Sequence, residues 1–298
     1  MFFKQKSTVI FRNYESFGYL TDNRNFGYQQ TNNTENIIGD KIISESGAVF
    51  LSVLGRKPQT LDQLANKIIK QFTDVDIRTL KNDAREFYCM LESDGFIVSG
   101  KTLEECNKKD TRFSYKIIEP EIEKKDFSPT IMHPEKSTQD FLEEYFEGKP
   151  QLTNLHIEIT SKCNERCVHC YIPHDDKVSS IEPDLFYDVL KQCKKMRLLH
   201  LTLSGGEPML HKNFCDFLRK CKEYDFSVNV LSNLTLLDDE IIKEMKANPL
   251  LGVQVSLYSM NSNIHDEITQ IKGSFEKTKS AIIKLVDNDI PLQISCTI

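Results

Sequence analysis

The second half of the chain alternates between short apolar runs and longer segments in which apolar residues recur at helical spacing. Helical patterns follow Pro183, Phe214, Asp238 and Ser274. Strands joined by such helices require right-handed crossovers. The pattern therefore predicts a parallel sheet or barrel over residues 151–298. Its strand-like runs are LHIEIT, HLTLS, SVNVLS, GVQVSLY and PLQISCTI.

No helical pattern follows PLQISCTI, the last of these runs. A strand of a parallel sheet is normally covered by helices. We therefore expect a barrel that is truncated after five strands, in a chain that is part of a longer protein.

Residues 1–103 show a different pattern, in which short strands precede helices. STVIF, FGYL and DKIIS are strand-like and are separated by turn residues. Three helical segments follow: GAVFLSVLG, a segment that Thr60 can cap, and a longer one that Asp76 can cap before it ends near Gly95. FIVSG closes the region as a strand. This order predicts a small winged-helix-like α+β domain in front of the α/β barrel.

Residues 104–150 are rich in charge and proline, and we interpret them as a linker. A capping-box pattern at Ser137 and Asp140, followed by FLEEYF, predicts one helix that ends near Gly148. The predicted organisation is therefore a domain at 1–103, a linker at 104–150 and a barrel at 151–298.

Composition and charge exclude several classes of protein. Hydrophobic residues make up 39% of the chain and charged residues 28%, as in ordinary soluble proteins. The net charge of −6 gives no general attraction to nucleic acid or to a membrane surface. There is no apolar run long enough to cross a bilayer, and the N-terminus lacks the features of a signal peptide. Nine cysteines, an odd number without an export signal, argue against a disulfide scaffold and favour the cytoplasm.

Three of the cysteines cluster in CNERCVHC, directly after the first strand of the barrel region. The carboxyl ends of parallel strands are where reactive loops gather. A closed structural zinc site needs four ligands, and His169 or His174 are candidates for the fourth. Three thiolates equally suit an iron–sulfur cluster in which one iron stays open to a substrate or cofactor. The spacing of Cys163, Cys167 and Cys170 alone leaves both alternatives open.

The next strand, HLTLS, leads into the turn Gly205-Gly206-Glu207-Pro208. Two glycines allow a ligand to approach the main chain closely, and main-chain carbonyls together with Glu207 can receive an ammonium group. This turn ends the second strand, and a CxxxCxxC pattern ends the first. Together they favour the iron–sulfur interpretation.

CNERCVHC followed by SGGEP resembles the radical S-adenosylmethionine (radical SAM) enzymes, over residues 151–298. The resemblance implies a partial (β/α) radical SAM barrel with a [4Fe-4S] cluster on Cys163, Cys167 and Cys170. It also implies that the open iron is chelated by the amino and carboxylate groups of S-adenosylmethionine. Reductive cleavage of that cofactor would give a 5′-deoxyadenosyl radical that abstracts hydrogen from the substrate.

The same resemblance implies a set of residues that contact S-adenosylmethionine. The glycines and the glutamate of this set would receive the methionine ammonium, the histidine would lie against the adenine, and the other polar residues would hold the ribose and the carboxylate. The serines and the asparagine are equally typical of turns after strands. No catalytic acid or base is implied. The set is His169, Gly205, Gly206, Glu207, Ser232, Asn233 and Ser256.

The segment SLYSMNSNIHDEITQIKGSF is similar to the radical SAM subfamily whose C-terminal extension, called SPASM or twitch, carries auxiliary clusters. His265 and Asp266 occupy that subfamily's His-Asp position, and we interpret them as local capping groups. The partial barrel of the family has six strands, whereas this sequence provides five and no cysteine-rich extension.

The first domain has two candidate ligands. A winged helix can bind DNA, but residues 1–100 contain 12 Lys or Arg and 12 Asp or Glu, so they are poorly equipped to neutralise phosphates. The domain also resembles the peptide-recognition element of enzymes that mature ribosomally made peptides. That resemblance implies a leader peptide between DKIIS and the helix at residues 76–94. A purely structural role stays open.

The sequence thus predicts a radical SAM enzyme that forms a thioether or carbon–carbon crosslink in a ribosomally synthesised precursor peptide. The expected partners are that peptide, whose leader the first domain holds, and an electron donor such as flavodoxin or ferredoxin, with no nucleic acid or membrane. One alternative is a radical SAM enzyme of the sulfatase-maturase type that acts on another protein. The other is a non-catalytic peptide-binding module with a structural metal.

Overall fold

The computed structural model describes residues 1–21, 40–73, 75–111, 146 and 149–296. The chain divides into two compact units, Met1–Gln151 and Leu152–Ile298. Among the helices of the described ranges, none combines the length and the apolar character that crossing a bilayer requires.

The first unit contains short strands and helices in the predicted order, preceded by an additional strand. The strands are β1 (Phe2–Gln5), β2 (Ile10–Asn13), β3 (Phe17–Thr21), β4 (Asp40–Ser44), β5 (Gln59–Thr60) and β6 (Ile97–Gly100), and the helices are α1 (Glu45–Leu54), α2 (Leu61–Ile68), α3 (Ile77–Ser93) and α4 (Leu103–Lys109). They form two antiparallel sheets, with strand orders β5-β1-β6 and β2-β3-β4.

The helix boundaries follow the capping signals of the sequence. Thr60 and Gln63 form a reciprocal capping box at the start of α2. The Asp76 carboxylate accepts hydrogen bonds from the main-chain N–H groups of Arg78 and Thr79 at the start of α3. The apolar faces of α1, α2 and α3 pack together with β1 in a core that includes Leu51, Leu64, Leu80, Phe3 and Tyr88. The predicted α+β architecture is confirmed.

The first residues of the predicted linker form a helix that was not predicted. Residues 103–109 form α4, which Thr102 caps and which buries Cys106. Asp110, just beyond this helix, pairs with Lys4 of β1 at 2.7 Å, and both side chains are almost fully buried. Sequence reasoning failed here because a surface helix that buries only one residue has no clear apolar period. The helix predicted from Ser137 lies outside the described residues.

The second unit alternates strands and helices as the sequence predicts. Its strands are β7 (Asn154–Thr160), β8 (His200–Gly205), β9 (Ser227–Ser232), β10 (Leu251–Ser256) and β11 (Leu292–Ser295), and its helices are α5 (Pro183–Lys195), α6 (Phe214–Glu223), α7 (Asp239–Ala247), α8 (Ser262–Thr269) and α9 (Ser274–Asp287). All four pairings in the order β11-β10-β9-β8-β7 are parallel. Five parallel strands with helices are the predicted partial radical SAM barrel.

One face of this sheet packs against helices. Alternate strand residues, among them Leu203, Val230 and Val253, join Phe186 of α5 and Phe217 of α6 in a continuous apolar core. The intervening residues point to the opposite face because side chains alternate along a strand. This opposite face is polar: His156, Thr202 and Asn229 are register neighbours on β7, β8 and β9, as are Glu158 and Ser204 on β7 and β8.

Candidate functional site

The three clustered cysteines lie on the loop between β7 and α5, at the carboxyl end of the sheet. We call residues 161–173 the cysteine loop. Cys163, Cys167 and Cys170 are half-buried and form no disulfide. The loop folds back on itself through a hydrogen bond from the Cys170 N–H to the Cys167 carbonyl, 3.1 Å. The structure therefore presents three free thiols at the edge of the sheet where reactive loops gather.

The cysteine loop is supported by the end of helix α8. The main-chain N–H of Arg166 donates to the Thr269 carbonyl at 3.0 Å, and that of Val168 donates to the Ile268 carbonyl at 2.9 Å. These bonds use carbonyls of the last helical turn, which receive no hydrogen bond from within their own helix. The position of the loop thus depends on where α8 ends.

The glycine turn after β8 meets the start of the cysteine loop. The Gly206 N–H donates to the Thr160 carbonyl and the Glu207 N–H donates to the Lys162 carbonyl, each at 2.8 Å. A Cβ atom at Gly205 would lie 2.0 Å from the Thr160 oxygen, and one at Gly206 would lie 2.3 Å from the Lys162 oxygen. The sequence predicted that these glycines let a ligand approach. The structure shows in addition that the main chain before Cys163 occupies the space beside them.

Glu207 is completely buried and organises the ends of two strands. Its carboxylate accepts hydrogen bonds from the Ser232 hydroxyl at 2.8 and 3.0 Å, from the Asn233 N–H at 2.8 Å and from the Met209 N–H at 3.0 Å. Burial nevertheless raises the pKa of Glu207 to about 7. Three residues that the sequence assigned to the site, Glu207, Ser232 and Asn233, therefore lie together.

Asn233 also connects this network to the cysteine loop. Its side-chain amide donates to the Asn164 side-chain oxygen at 3.0 Å, and the Asn164 amide donates to the Thr235 hydroxyl at 2.6 Å. Sequence reasoning missed Asn164. The signal available was its position directly after the first cysteine.

His169 and Ser256, the remaining predicted residues, lie near Tyr258. The His169 ring is exposed and packs edge-on against the Tyr258 ring, with centroids 4.8 Å apart. Burial raises the pKa of Tyr258, and Ser256 and Cys167 lie close enough to influence its hydroxyl electrostatically. Tyr258 was not predicted, because an aromatic residue just after a strand is most often a packing residue.

Glu165 is a second buried carboxylate that sequence reasoning missed. It lies between the first two cysteines and is 3% exposed. Its Oε2 accepts a hydrogen bond from the Cys167 thiol at 3.6 Å, and its Oε1 is buried without a partner among the described residues. Burial raises the pKa of Glu165 to about 7 and that of Cys167 to about 12.

His265 and Asp266 act locally, as the sequence suggested. The Asp266 carboxylate accepts from the Gly273 N–H at 2.5 Å, the Ser274 hydroxyl at 3.0 Å and the Phe275 N–H at 2.9 Å, and so caps helix α9. The buried His265 ring accepts the Tyr258 N–H through Nδ1 at 3.3 Å, and burial lowers its pKa. Asp266 thereby fixes the connection between α8 and α9.

Replacement of Asp266 by alanine is expected to loosen the cysteine loop as well as helix α9. Loss of a helix cap costs about 1 kcal/mol, and the α8 end that the cap fixes holds two loop amides. Exchange of the amides in residues 163–170 should accelerate about fivefold in the metal-free protein. Hydrogen–deuterium exchange with mass spectrometry measures this directly.

The matched control is Asp238→Ala. Asp238 caps α7 in the same way, through a 2.8 Å bond from the Ile241 N–H. It should leave exchange of the cysteine loop unchanged. Equal amide exchange rates of the two variants in residues 163–170 would show that Asp266 has no influence on the loop.

Comparison with known proteins identifies the region that carries this site. Residues 157–298 match the model of the radical SAM superfamily. A tungsten-containing aldehyde ferredoxin oxidoreductase cofactor-modifying protein of Pyrococcus furiosus is 37% identical over 110 residues, which are 36% of this chain and 30% of that protein. The GTP 3′,8-cyclase of Clostridium perfringens is 29% identical over 157 residues, 50% of this chain and 47% of that protein.

Two further comparisons concern peptide-related proteins. The antilisterial bacteriocin subtilosin biosynthesis protein AlbA of Bacillus subtilis is 29% identical over 154 residues, which are 50% of this chain and 34% of that protein. The crystal structure of Streptococcus suis SuiB bound to its precursor peptide SuiA matches 99% of this chain and 63% of SuiB, with a TM-score of 0.52 and 14% identity.

The chain spans less than half of the length of these curated relatives. The likeness to SuiB concerns the fold, at an identity too low to carry more. The sequence match, the five-stranded parallel sheet and the cysteine loop at its carboxyl edge agree with one another. The match to the radical SAM superfamily over residues 157–298 and the fold of that region therefore agree.

Proposed function

We propose that this chain carries the radical-generating part of an enzyme that modifies a ribosomally synthesised precursor peptide. The observation that carries the proposal is the meeting of three free thiols with the buried Glu207–Ser232–Asn233 network at one edge of a radical SAM sheet. The relative named for bacteriocin biosynthesis supports a peptide as substrate.

The donor set fits an iron–sulfur cluster better than a single metal ion. Among the residues that the structure describes, no three His, Cys, Asp or Glu side chains converge as the ligands of one ion. A four-iron cluster takes each thiolate on a different iron, so its ligands need not converge on one point. Cys163, Cys167 and Cys170 would hold the cluster and leave one iron for S-adenosylmethionine. When bound, these two groups supply hydrogen-atom abstraction from an unreactive C–H bond.

The chain's own residues would bind and orient the cofactor. We assign Gly205, Gly206 and Glu207 to the methionine ammonium, which a buried carboxylate can pair with. We assign Ser232, Asn233 and Ser256, which lie at the ends of strands β9 and β10, to the ribose and the carboxylate. We assign His169 of the cysteine loop to the adenine. The polar face of the sheet, with His156 and Glu158 exposed, would receive the modified part of the peptide.

Anaerobic reconstitution of the full chain with iron and sulfide tests the radical SAM activity. The expected result is about four irons per chain, visible absorption of the cluster, and 5′-deoxyadenosine release when a reductant and S-adenosylmethionine are added. Stoichiometric zinc in the purified protein, without iron or sulfide, would contradict this proposal and favour a structural metal. Flavodoxin and ferredoxin are the electron donors to compare.

The first unit offers a surface for the leader of the peptide. Strand β4 lies at the end of the order β2-β3-β4 in the described residues. Residues of α3 and its C-cap lie near β4 and the start of α1. Lys41 of β4 pairs with Asp94, just after α3, at 2.6 Å, and a Cβ atom at Gly47 of α1 would lie 3.0 Å from the Phe87 ring. Met90 lies between Phe87 and Asp94 along this stripe of α3 and is 41% exposed. An extended peptide could pair with β4 and place side chains against this helix.

Met90→Glu is expected to weaken leader binding about tenfold, because it places a charge in an apolar contact. Because Met90 is exposed, thermal unfolding should change little. The measurement is fluorescence anisotropy of a labelled synthetic leader peptide with the full chain. Arg85→Glu, an exposed change on another side of α3, is the control. Equal affinity of both variants would place the leader elsewhere.

A further inference from the structure

Glu165 is a buried carboxylate with incomplete hydrogen bonding. It is 3% exposed, and its Oε1 has no partner in the part of the chain that the structure describes. Its Oε2 accepts only the Cys167 thiol, at 3.6 Å. A buried acceptor without a donor is costly, and more so when it is ionised. Such a group in a folded protein indicates a missing partner.

The Glu165 carboxylate receives no cation from the described part of the chain. The Lys177 ammonium group donates to the main-chain carbonyl of Glu165 at 3.4 Å and not to the Glu165 carboxylate.

A second buried carboxylate shares the surroundings of Glu165. Asn233 donates its main-chain N–H to Glu207 at 2.8 Å, and its side-chain amide donates to Asn164, the residue before Glu165, at 3.0 Å. Neither carboxylate forms an ion pair with a Lys or Arg of the described residues. A positively charged ligand would satisfy two buried carboxylates that have no protein cation beside them.

We infer that Glu165 is a second carboxylate, beside Glu207, that binds the positive charge of S-adenosylmethionine. This inference rests on the proposed function. The cofactor carries two cationic groups, a sulfonium and an ammonium, and either would satisfy the buried oxygens of Glu165. The cysteine loop would then supply a recognition residue for the cofactor in addition to its metal ligands.

The test is the affinity for S-adenosylmethionine of the full chain, reconstituted with its cluster under anaerobic conditions and measured by equilibrium dialysis without reductant. Glu165→Gln should weaken binding about tenfold or more, since a hydrogen bond to a charged group is lost. The iron content and visible absorption should stay at the wild-type level. Glu182→Gln, which neutralises an exposed carboxylate at the start of α5, should bind normally.

S-adenosylhomocysteine, which keeps the ammonium but lacks the sulfonium charge, identifies the group that Glu165 binds. Equal weakening of both ligands in Glu165→Gln assigns the ammonium, and weakening of S-adenosylmethionine alone assigns the sulfonium. Unchanged affinity for both ligands overturns the inference. If the wild-type protein holds its cluster but binds no S-adenosylmethionine, the proposed function is wrong. The inference, which rests on it, is then wrong as well.

Glu165→Asp keeps the test decisive if the glutamine variant also loses iron. Restored iron with restored affinity supports a role of the carboxylate in ligand binding. Restored iron with affinity still at the glutamine level contradicts it. Iron lost from both variants would show that Glu165 serves the loop rather than the ligand, and would also overturn the inference.

Discussion

Gly206→Ala is expected to abolish cluster assembly. A Cβ atom at this position would lie 2.3 Å from the Lys162 oxygen, 2.6 Å from the Lys162 carbonyl carbon and 2.6 Å from the Ser161 oxygen. All three are main-chain atoms, so no side-chain rotation can relieve the overlap. The segment before Cys163 must move, and the bonds from the Gly206 and Glu207 N–H groups to Thr160 and Lys162 must break.

The expected result is the loss of most reconstituted iron, together with a fall of about 2 kcal/mol in the free energy of unfolding. Iron analysis after anaerobic reconstitution and urea unfolding of the metal-free protein measure the two effects. Gly55→Ala is the control: Gly55 has φ of 62° but no atom within 4 Å of a built Cβ. It should cost about 1–3 kcal/mol through backbone strain and leave the iron content unchanged. A wild-type iron content in Gly206→Ala would contradict the close approach of Gly206 to the main chain of Ser161 and Lys162.

Cys167→Ala is expected to eliminate the cluster while preserving the fold. Its thiol donates one hydrogen bond, to Glu165, and the side chain is half-buried. The metal-free variant should therefore unfold within about 1 kcal/mol of the wild type. After reconstitution it should lack the visible absorption of the cluster and release no 5′-deoxyadenosine, because a cluster held by two thiolates is not retained.

The control for this change is Cys215→Ala. Cys215 is also half-buried but lies on α6, away from the cysteine loop. It should reconstitute with wild-type iron and full 5′-deoxyadenosine release. Retention of the cluster in Cys167→Ala would mean that a different residue supplies the third ligand.

The elements with strong periodicity were predictable from the sequence. The strands β7 to β11 and the helix that Pro183 starts have apolar runs that match their period. Thr60 and Asp76 marked helix starts because their side chains satisfy N–H groups that no helix can satisfy internally. The cysteines and the glycine turn were found because their spacing is specific.

The missed features depend on contacts that are distant in sequence. Strand β1 is only four residues long, and it forms because it fits between β5 and β6. Helix α8 is short, and its role comes from carbonyls that face the cysteine loop. Glu165 looks like a surface residue in the sequence. Its burial follows from the fold of the loop around it, which no local pattern encodes.

The bonds from Arg166 and Val168 to the end of α8 also affect the order of events during synthesis. The cysteines leave the ribosome long before Ile268 and Thr269, the residues whose carbonyls hold their loop. Domains form during translation from the N-terminus onward. A nascent chain that stops short of α8 would thus expose three thiols without their support. We therefore expect cluster assembly to succeed only after that helix has emerged from the ribosome.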